Sequence, residues 1–349
     1  MRATSLGSDL QRVLEEFGER AELPGVTAAV LRHNTELWTG GAGVADPEGD
    51  QPMLPETLFA IGSMTKSFVA ALVLRLIGRG QLALHDPIAR YLPPAIESNR
   101  ATVGEVLSHA SGIPEHVTPR FVAELLREPS RTWTPADVLS YQEGPPGARG
   151  QFAYSSTNFI LLGIAVERIT ETAVGTAIHE LLLEPLHLDR IAYQAADPPP
   201  RPHAIGLTHL AGPIPFALRD ASGLLPCRSV ATAAGAAGGM AADVESLARW
   251  ASLLYRGAVL EPEGQRALMN TDDHAFGSTR FELDGQEAFG HPGRMPGYRG
   301  AFAWLPSLEM SCAVLINTDA QDAEPLELLG RLVRARRLSD GDHAQGGEP

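Results

Sequence analysis

Apolar residues recur along this chain with two different periods. Leu6, Leu10, Val13, Leu14 and Phe17 fall three or four residues apart, which predicts an amphipathic helix over Met1–Glu22. Val26–Leu31 is a short, continuous apolar run and predicts a strand. The His33-Asn34-Thr35 turn sends the chain back through a Gly-rich partner, Glu36–Val44. Thr57–Ile61 then leads into Ser67–Ile77, an apolar run of helical length stopped by Gly78 and Gly80. From Gln81 to Cys227 the texture is helical with Pro-rich connectors. Helices are predicted over Thr102–His109, Pro119–Leu126, Pro135–Tyr141, Ser156–Ile169 and Ala173–Leu183, and a four-proline loop over Ala196–Pro202. Ala233–Gly239 reads as a small-residue loop, followed by a helix over Asp243–Tyr255. Strand signals return at Thr279–Leu283, Glu287–His291, Gly300–Leu305 and Met310–Asn317. A last helix, Pro325–Arg337, precedes a polar tail over 339–349 that reads as disordered.

Strands at both ends of the chain, with helices between, imply an α/β (α+β) fold. Its antiparallel sheet would be built from both termini and covered by the terminal helices, with a helical insertion. The expected sheet domain is 1–80 with 231–338, and the helical domain is 81–230. Ser63 would then stand at their junction, a usual place for a cleft.

Chemistry enters through one residue. The chain holds 27 arginines and a single lysine, Lys66, within Ser63-Met64-Thr65-Lys66. Arg stays protonated in proteins, whereas a buried Lys can lose its proton. A lone Lys three residues after a Ser marks a position that calls for a titratable amine, one helical turn from a hydroxyl.

Composition narrows the field without choosing within it. With 44% hydrophobic and 20% charged residues, the chain has an ordinary soluble globular make-up. A net charge of −14, with no offsetting basic stripe, argues against nucleic-acid binding. Arg331, Arg334, Arg336 and Arg337 read as the solvated end of the last helix, where cations suit the dipole. Cys227 and Cys312 lie far apart and imply neither a disulfide framework nor a metal site. The first 22 residues lack a signal peptide's apolar core, and no segment is long and apolar enough to span a membrane. The expected location is cytoplasmic, away from membranes.

Two further clusters accompany the first: Tyr154-Ser155-Ser156, just ahead of an apolar helix, and His291-Pro292-Gly293, at the end of a strand-like run. With these three in order, the chain resembles the serine β-lactamase/penicillin-binding protein family. The likeness is to its branch of class C β-lactamases, DD-carboxypeptidases, D-aminopeptidases and family VIII esterases. Leu58–Lys66, Leu82–Pro87, Leu107–Gly112 and Gly290–Gly293 extend the resemblance over nearly the whole chain.

The resemblance implies the β-lactamase/DD-peptidase fold and an acyl-enzyme on Ser63, with Lys66 and Tyr154 sharing the acid and base work. It also implies an oxyanion hole from the backbone N–H groups of Ser63 and Arg294, and substrate contacts at Ser156, His291, Gly293 and Arg294. Two departures bear on the substrate. Ser156 stands where many relatives have Asn, and His291-Pro292-Gly293 where many have Lys-Thr-Gly. Both weaken the case for an anionic β-lactam, although Arg294 or Arg299 could restore a carboxylate partner. His109 and the four tryptophans read as structural, while His291 is open between a structural and a substrate-facing role.

The expected function is that of a serine esterase or amidase acting on a small-molecule ester or amide, with no cofactor and no metal. The alternative is an acyltransferase that passes the acyl group to an amine or alcohol, as in natural-product biosynthesis. A β-lactamase or DD-peptidase, or a silent binding protein, ranks below these.

Overall fold

The computed structural model describes residues 3–345, except 97, 99, 196–198, 211, 213 and 270–273, and for 3–5, 274 and 340–345 it describes the backbone alone. Two strands come from the N-terminal part, β1 (Gly25–Arg32) and β2 (Glu36–Asp46). Four come from the C-terminal part: β3 (Ser278–Leu283), β4 (Gln286–Met295), β5 (Tyr298–Leu305) and β6 (Met310–Ile316). β6 joins the two groups by pairing antiparallel with β1, Val30 opposite Cys312. Short edge strands at Gln51–Pro52 and His274–Ala275 bring the sheet to eight strands among the described residues.

Helices α1 (Ala3–Arg20), α2 (Thr65–Gly78), α3 (Ser156–Thr170), α4 (Arg228–Gly238), α5 (Val244–Tyr255) and α6 (Pro325–Gln345) frame the sheet and the cleft. Successive side chains on a strand point to opposite faces. Val26, Ala28 and Val30 of β1 therefore join Cys312, Val314 and Ile316 of β6 in one core, with Leu10, Leu14 and Phe17 of α1 and Leu329 and Leu332 of α6. Ala29, Leu31, Ala313 and Leu315 enter the opposite core with Trp250 and Leu254 of α5. Both faces are covered, which is why β1 and β6 read as continuous apolar runs rather than alternating ones.

The helices predicted between residues 102 and 183 are present, with ends moved by a few residues. Two of the short ones start at capping boxes, Thr102 with Glu105 and Thr134 with Asp137. Three expectations need correction. Ala233–Gly239 is not a loop: through Gly238 it is the second half of α4, broken only where Gly235 adopts φ 41°. Its small residues serve close packing, since a Cβ on Gly163 of α3 would lie 2.6 Å from the Ala236 Cβ. The last helix runs past Ser339 to Gln345, without a proline to stop it, and Ser339 Oγ donates to the Ala335 carbonyl; residues 346–349 lie outside the described residues. β4 continues beyond His291 to Met295, because the β3 ladder ends at Gly290 and Pro292 needs no N–H on that edge. Of the proline-rich segment, Ala196–Pro198 also lies outside the described residues. Among the described residues no helix is long and apolar enough to cross a membrane, and no group of His, Cys, Asp or Glu is placed to hold a metal ion.

Candidate active site

Ser63 sits in a single 3-10 turn, Gly62–Met64, that runs directly into α2. Helix α2 is buried nearly all round, and its start is pinned from within the core. Trp250 Nε1 donates to Ser67 Oγ (2.9 Å), Ser67 Oγ donates to the Met64 carbonyl (2.8 Å), and Phe68 stacks on Trp250 at 4.1 Å. One turn on from Ser63, Lys66 is fully buried. Its Nζ donates to Ser63 Oγ (3.0 Å) and to the Ala237 carbonyl of α4 (2.7 Å). The Tyr154 hydroxyl donates to the same Ser63 Oγ at 2.9 Å. The three residues that the sequence singled out thus meet at one oxygen atom. Tyr154 is 40% exposed, so this triad opens to solvent on the tyrosine side.

Tyr154 is held from behind by His109, whose ring stacks on it with centroids 4.4 Å apart. Ser155 N–H donates to His109 Nδ1 (3.1 Å), which makes Nδ1 the acceptor nitrogen. His109 is fully buried beneath Tyr154.

The other wall is the free edge of β4. Gly293 and the turn that carries Ser63 are in such close contact that a Cβ on Gly293 would lie 2.1 Å from the Ile61 carbonyl oxygen. Gly62 needs its φ of 53°, and a Cβ there would lie 2.6 Å from the Arg294 carbonyl oxygen and 3.0 Å from its nitrogen. Two glycines therefore let the backbone of Arg294 lie beside the turn of Ser63. His291 is buried, with Nδ1 at 2.5 Å from the Pro292 carbonyl. Arg299 Nη1 donates to the Gln321 and Ala323 carbonyls and to Glu324 (3.0 Å), whereas Arg294 is exposed and has no ion pair among the described residues.

Ser63 lies between two cavities. One, of about 290 Å³, is lined by Phe121, Leu125, Leu210, Met295, Ser156 and the α4 alanines, together with Ser63 and Arg294. The other, of about 350 Å³, is bordered by Tyr154, His291, Gly293, Arg294, Arg299 and Glu324, again with Ser63. Ser63, Tyr154, Ser156, His291, Gly293 and Arg294 each border one or both of these cavities, and Lys66 lies buried beneath Ser63.

A family model described as Beta-lactamase matches residues 10–335. The chain belongs to the beta-lactamase family. It is 25% identical over 338 residues to the unguisins hydrolase ungD' of Aspergillus campestris, covering 90% of this chain and 62% of that protein. It is 31% identical over 216 residues to esterase EstB of Burkholderia gladioli, covering 56% of this chain and 54% of the esterase. The chain thus spans under two thirds of the length of both relatives. A D-amino acid amidase from Ochrobactrum anthropi SV3, complexed with L-phenylalanine amide, superposes with a TM-score of 0.83 at 21% identity. That alignment covers 96% of this chain and 99% of the amidase, and shows the shared fold.

Within this beta-lactamase fold two site residues carried no signal in the sequence. Glu115 accepts the N–H groups of Ser156, His116 (2.7 Å) and Val117 (3.0 Å), so a carboxylate from a distant loop caps α3, where a negative charge suits the helix dipole. His116 lines the apolar cavity, with Nδ1 at 2.9 Å from Thr157 Oγ1 and 3.2 Å from Glu115. Burial holds its pKa down at about 4 against the pull of Glu115, and Lys66 lowers it further, so the ring is neutral at pH 7.

Proposed function

We propose that the chain is a serine hydrolase that cleaves small-molecule esters or amides through an acyl-Ser63 intermediate. The observation that carries this reading is the convergence of Lys66 Nζ and the Tyr154 hydroxyl on Ser63 Oγ, at 3.0 and 2.9 Å, on the floor of an open cleft. A serine hydroxyl is a weak nucleophile until a neighbouring base takes its proton. In the proposed sequence Oγ bonds to the substrate carbonyl carbon while its proton passes to the Lys66–Tyr154 pair. The resulting oxyanion lies against the backbone N–H groups of Ser63 and Arg294. Collapse breaks the C–O or C–N bond, and the leaving group departs with a proton from Tyr154. Water then attacks the acyl carbon and gives its proton to the same pair, and Ser63 is released protonated. Gly293, Arg294, Ser156 and His291 are the proposed substrate contacts. Segment 81–230 is proposed as a helical lobe over the sheet lobe formed by 1–80 and 231–338. The beta-lactamase family match supports the reading, as does the likeness to two relatives, a hydrolase and an esterase.

The test is intact-protein mass spectrometry after mixing with a 4-nitrophenyl ester. The expected result is a transient acyl adduct that maps to Ser63, is lost in Ser63→Ala and decays in water alone. No adduct with any ester would sink the proposal. An adduct that clears only when an amine or alcohol is added would replace hydrolysis with acyl transfer.

A further inference from the structure

We infer that Ser63 divides the cleft into an acyl side and a leaving-group side, and that the acyl side selects one bulky apolar group, an aryl-alkyl or branched chain. The inference rests on the acyl-enzyme reading and deepens it. Tyr154 must reach the departing oxygen or nitrogen to protonate it, because that atom leaves with the electrons of the broken bond. Tyr154 borders the cavity with His291, Arg299 and Glu324, and does not border the cavity behind Ser63. The leaving group therefore lies on the arginine side. The substituent on the other side of the carbonyl carbon points the opposite way, into the 290 Å³ cavity.

The chemistry of that cavity fixes what it takes. Phe121, Leu125, Leu210 and Met295 supply its walls, and α4 presents small or apolar residues, Val230, Gly238 and three alanines that include Ala234. Its buried polar groups are quiet. His116 is uncharged at neutral pH, and Asp319 already accepts from Thr208 Oγ1, His209 N–H and Gly297 N–H. Arg294, the cation on the lining, is exposed to solvent, so a charge buried deeper among the apolar walls would have no partner. At about 290 Å³ the space lies at the small end of ligand pockets, enough for one ring or branched chain and too short for a fatty-acyl tail.

Burial of each methylene is worth roughly a fourfold gain in kcat/KM until the cavity is full. The experiment compares 4-nitrophenyl esters of acetic, 3-methylbutanoic, 3-phenylpropanoic and dodecanoic acids, with the Ser63 adduct followed by mass spectrometry. The expected kcat/KM for 3-phenylpropanoate exceeds that for acetate by at least about 50-fold, and dodecanoate falls back below it. Ala234→Leu, which fills the cavity from α4, is expected to lower the phenylpropanoate-to-acetate ratio at least tenfold. Leu210→Ala, at the exposed mouth, is expected to lower it a few-fold and serves as a second variant if Ala234→Leu fails to fold. Adducts on Ser63 with no dependence on acyl size would overturn the inference while leaving the hydrolase reading standing. So would an Ala234→Leu or Leu210→Ala enzyme that discriminates among leaving groups instead of acyl groups. The absence of any adduct would remove the hydrolase reading itself.

Discussion

Gly293→Ala tests whether the turn of Ser63 is wedged against β4 as the geometry requires. The added Cβ would sit 2.1 Å from the Ile61 carbonyl oxygen, roughly 1.3 Å short of the 3.4 Å at which ordinary contact begins. It would also lie 2.9 Å from Met64 Cε, which can swing away, but Ile61 O is backbone and cannot. Relief requires the Ile61–Ser63 turn to part from β4 by about an ångström. That motion carries Ser63 Oγ away from the Arg294 backbone while Lys66 stays anchored to Ala237. A misplacement of about 1 Å costs on the order of 100-fold in rate, and overpacking costs about 1–3 kcal/mol of stability. The assay pairs single-turnover acylation, read as released 4-nitrophenolate, with thermal unfolding. Gly80→Ala is the control, since its φ of 70° penalises alanine while its Cβ would meet nothing within 4 Å. It should lose stability and keep its acylation rate. A Gly293→Ala enzyme with wild-type acylation would show that the turn and β4 are not locked together, and the proposed oxyanion hole would lose its structural basis.

Lys66→Arg keeps the charge but cannot act as a base, and turnover should fall by at least about 1,000-fold, read by steady-state kinetics; an active variant would remove Lys66 from proton transfer. Tyr154→Phe deletes the hydroxyl at 2.9 Å from Ser63 Oγ and should slow acylation and deacylation together, by on the order of 100-fold or more, in burst kinetics. Unchanged deacylation would confine Tyr154 to the first half of the reaction. His116 titrates near 4 in the folded chain against 6.5 in the unfolded one, so between those values the unfolded chain takes up a proton that the folded one refuses. Its contribution to stability is complete above about pH 6.5 and declines by about 3 kcal/mol as the pH falls to 4. Urea unfolding of wild type and His116→Gln across that window should show the shallower pH dependence in the variant, and identical slopes would place the His116 ring in water.

The parts of the fold legible in the sequence are those in which one residue type has one structural use. Continuous apolar runs marked β1 and β6 because both faces of the sheet are covered. The helices predicted from Thr102 and from Pro135 do begin there, at capping boxes that pair Thr102 with Glu105 and Thr134 with Asp137. Small residues have several uses, and there the reading failed. Ala233–Gly239 has no large side chain to show a helical period, so an alanine-rich helix packed against Gly163 was indistinguishable from a loop. The site divides along the same line. Ser63, Lys66 and Tyr154 are distinguished by their side chains, and the three that the sequence singled out do meet at Ser63 Oγ. The Ala237 carbonyl that anchors Lys66 is a backbone atom, which every residue possesses, and no sequence pattern could mark it. Glu115 reaches Ser156 across 41 positions, and its role exists only once α3 has docked.

The single lysine now has a physical reason to be single. Its Nζ has two oxygen acceptors, Ser63 Oγ and Ala237 O, and lies 5.1 and 5.7 Å from the ring centroids of Tyr154 and Phe159. A point cation on a thin stem fits that set: two hydrogen bonds are directional, and the aromatic faces supply the remaining attraction. Guanidinium would bring five donors in a planar fork to the same two acceptors, inside a space with no solvent to take the rest. Most arginines among the described residues are surface or cleft groups, such as Arg12 beside Glu16 or Arg331 beside Glu327, where either residue type serves and composition can drift to arginine. At position 66 the number of donors, their geometry and the capacity to give up a proton all exclude that drift. The rarity of lysine here reflects composition, while the place of the survivor fits the chemistry proposed for Ser63.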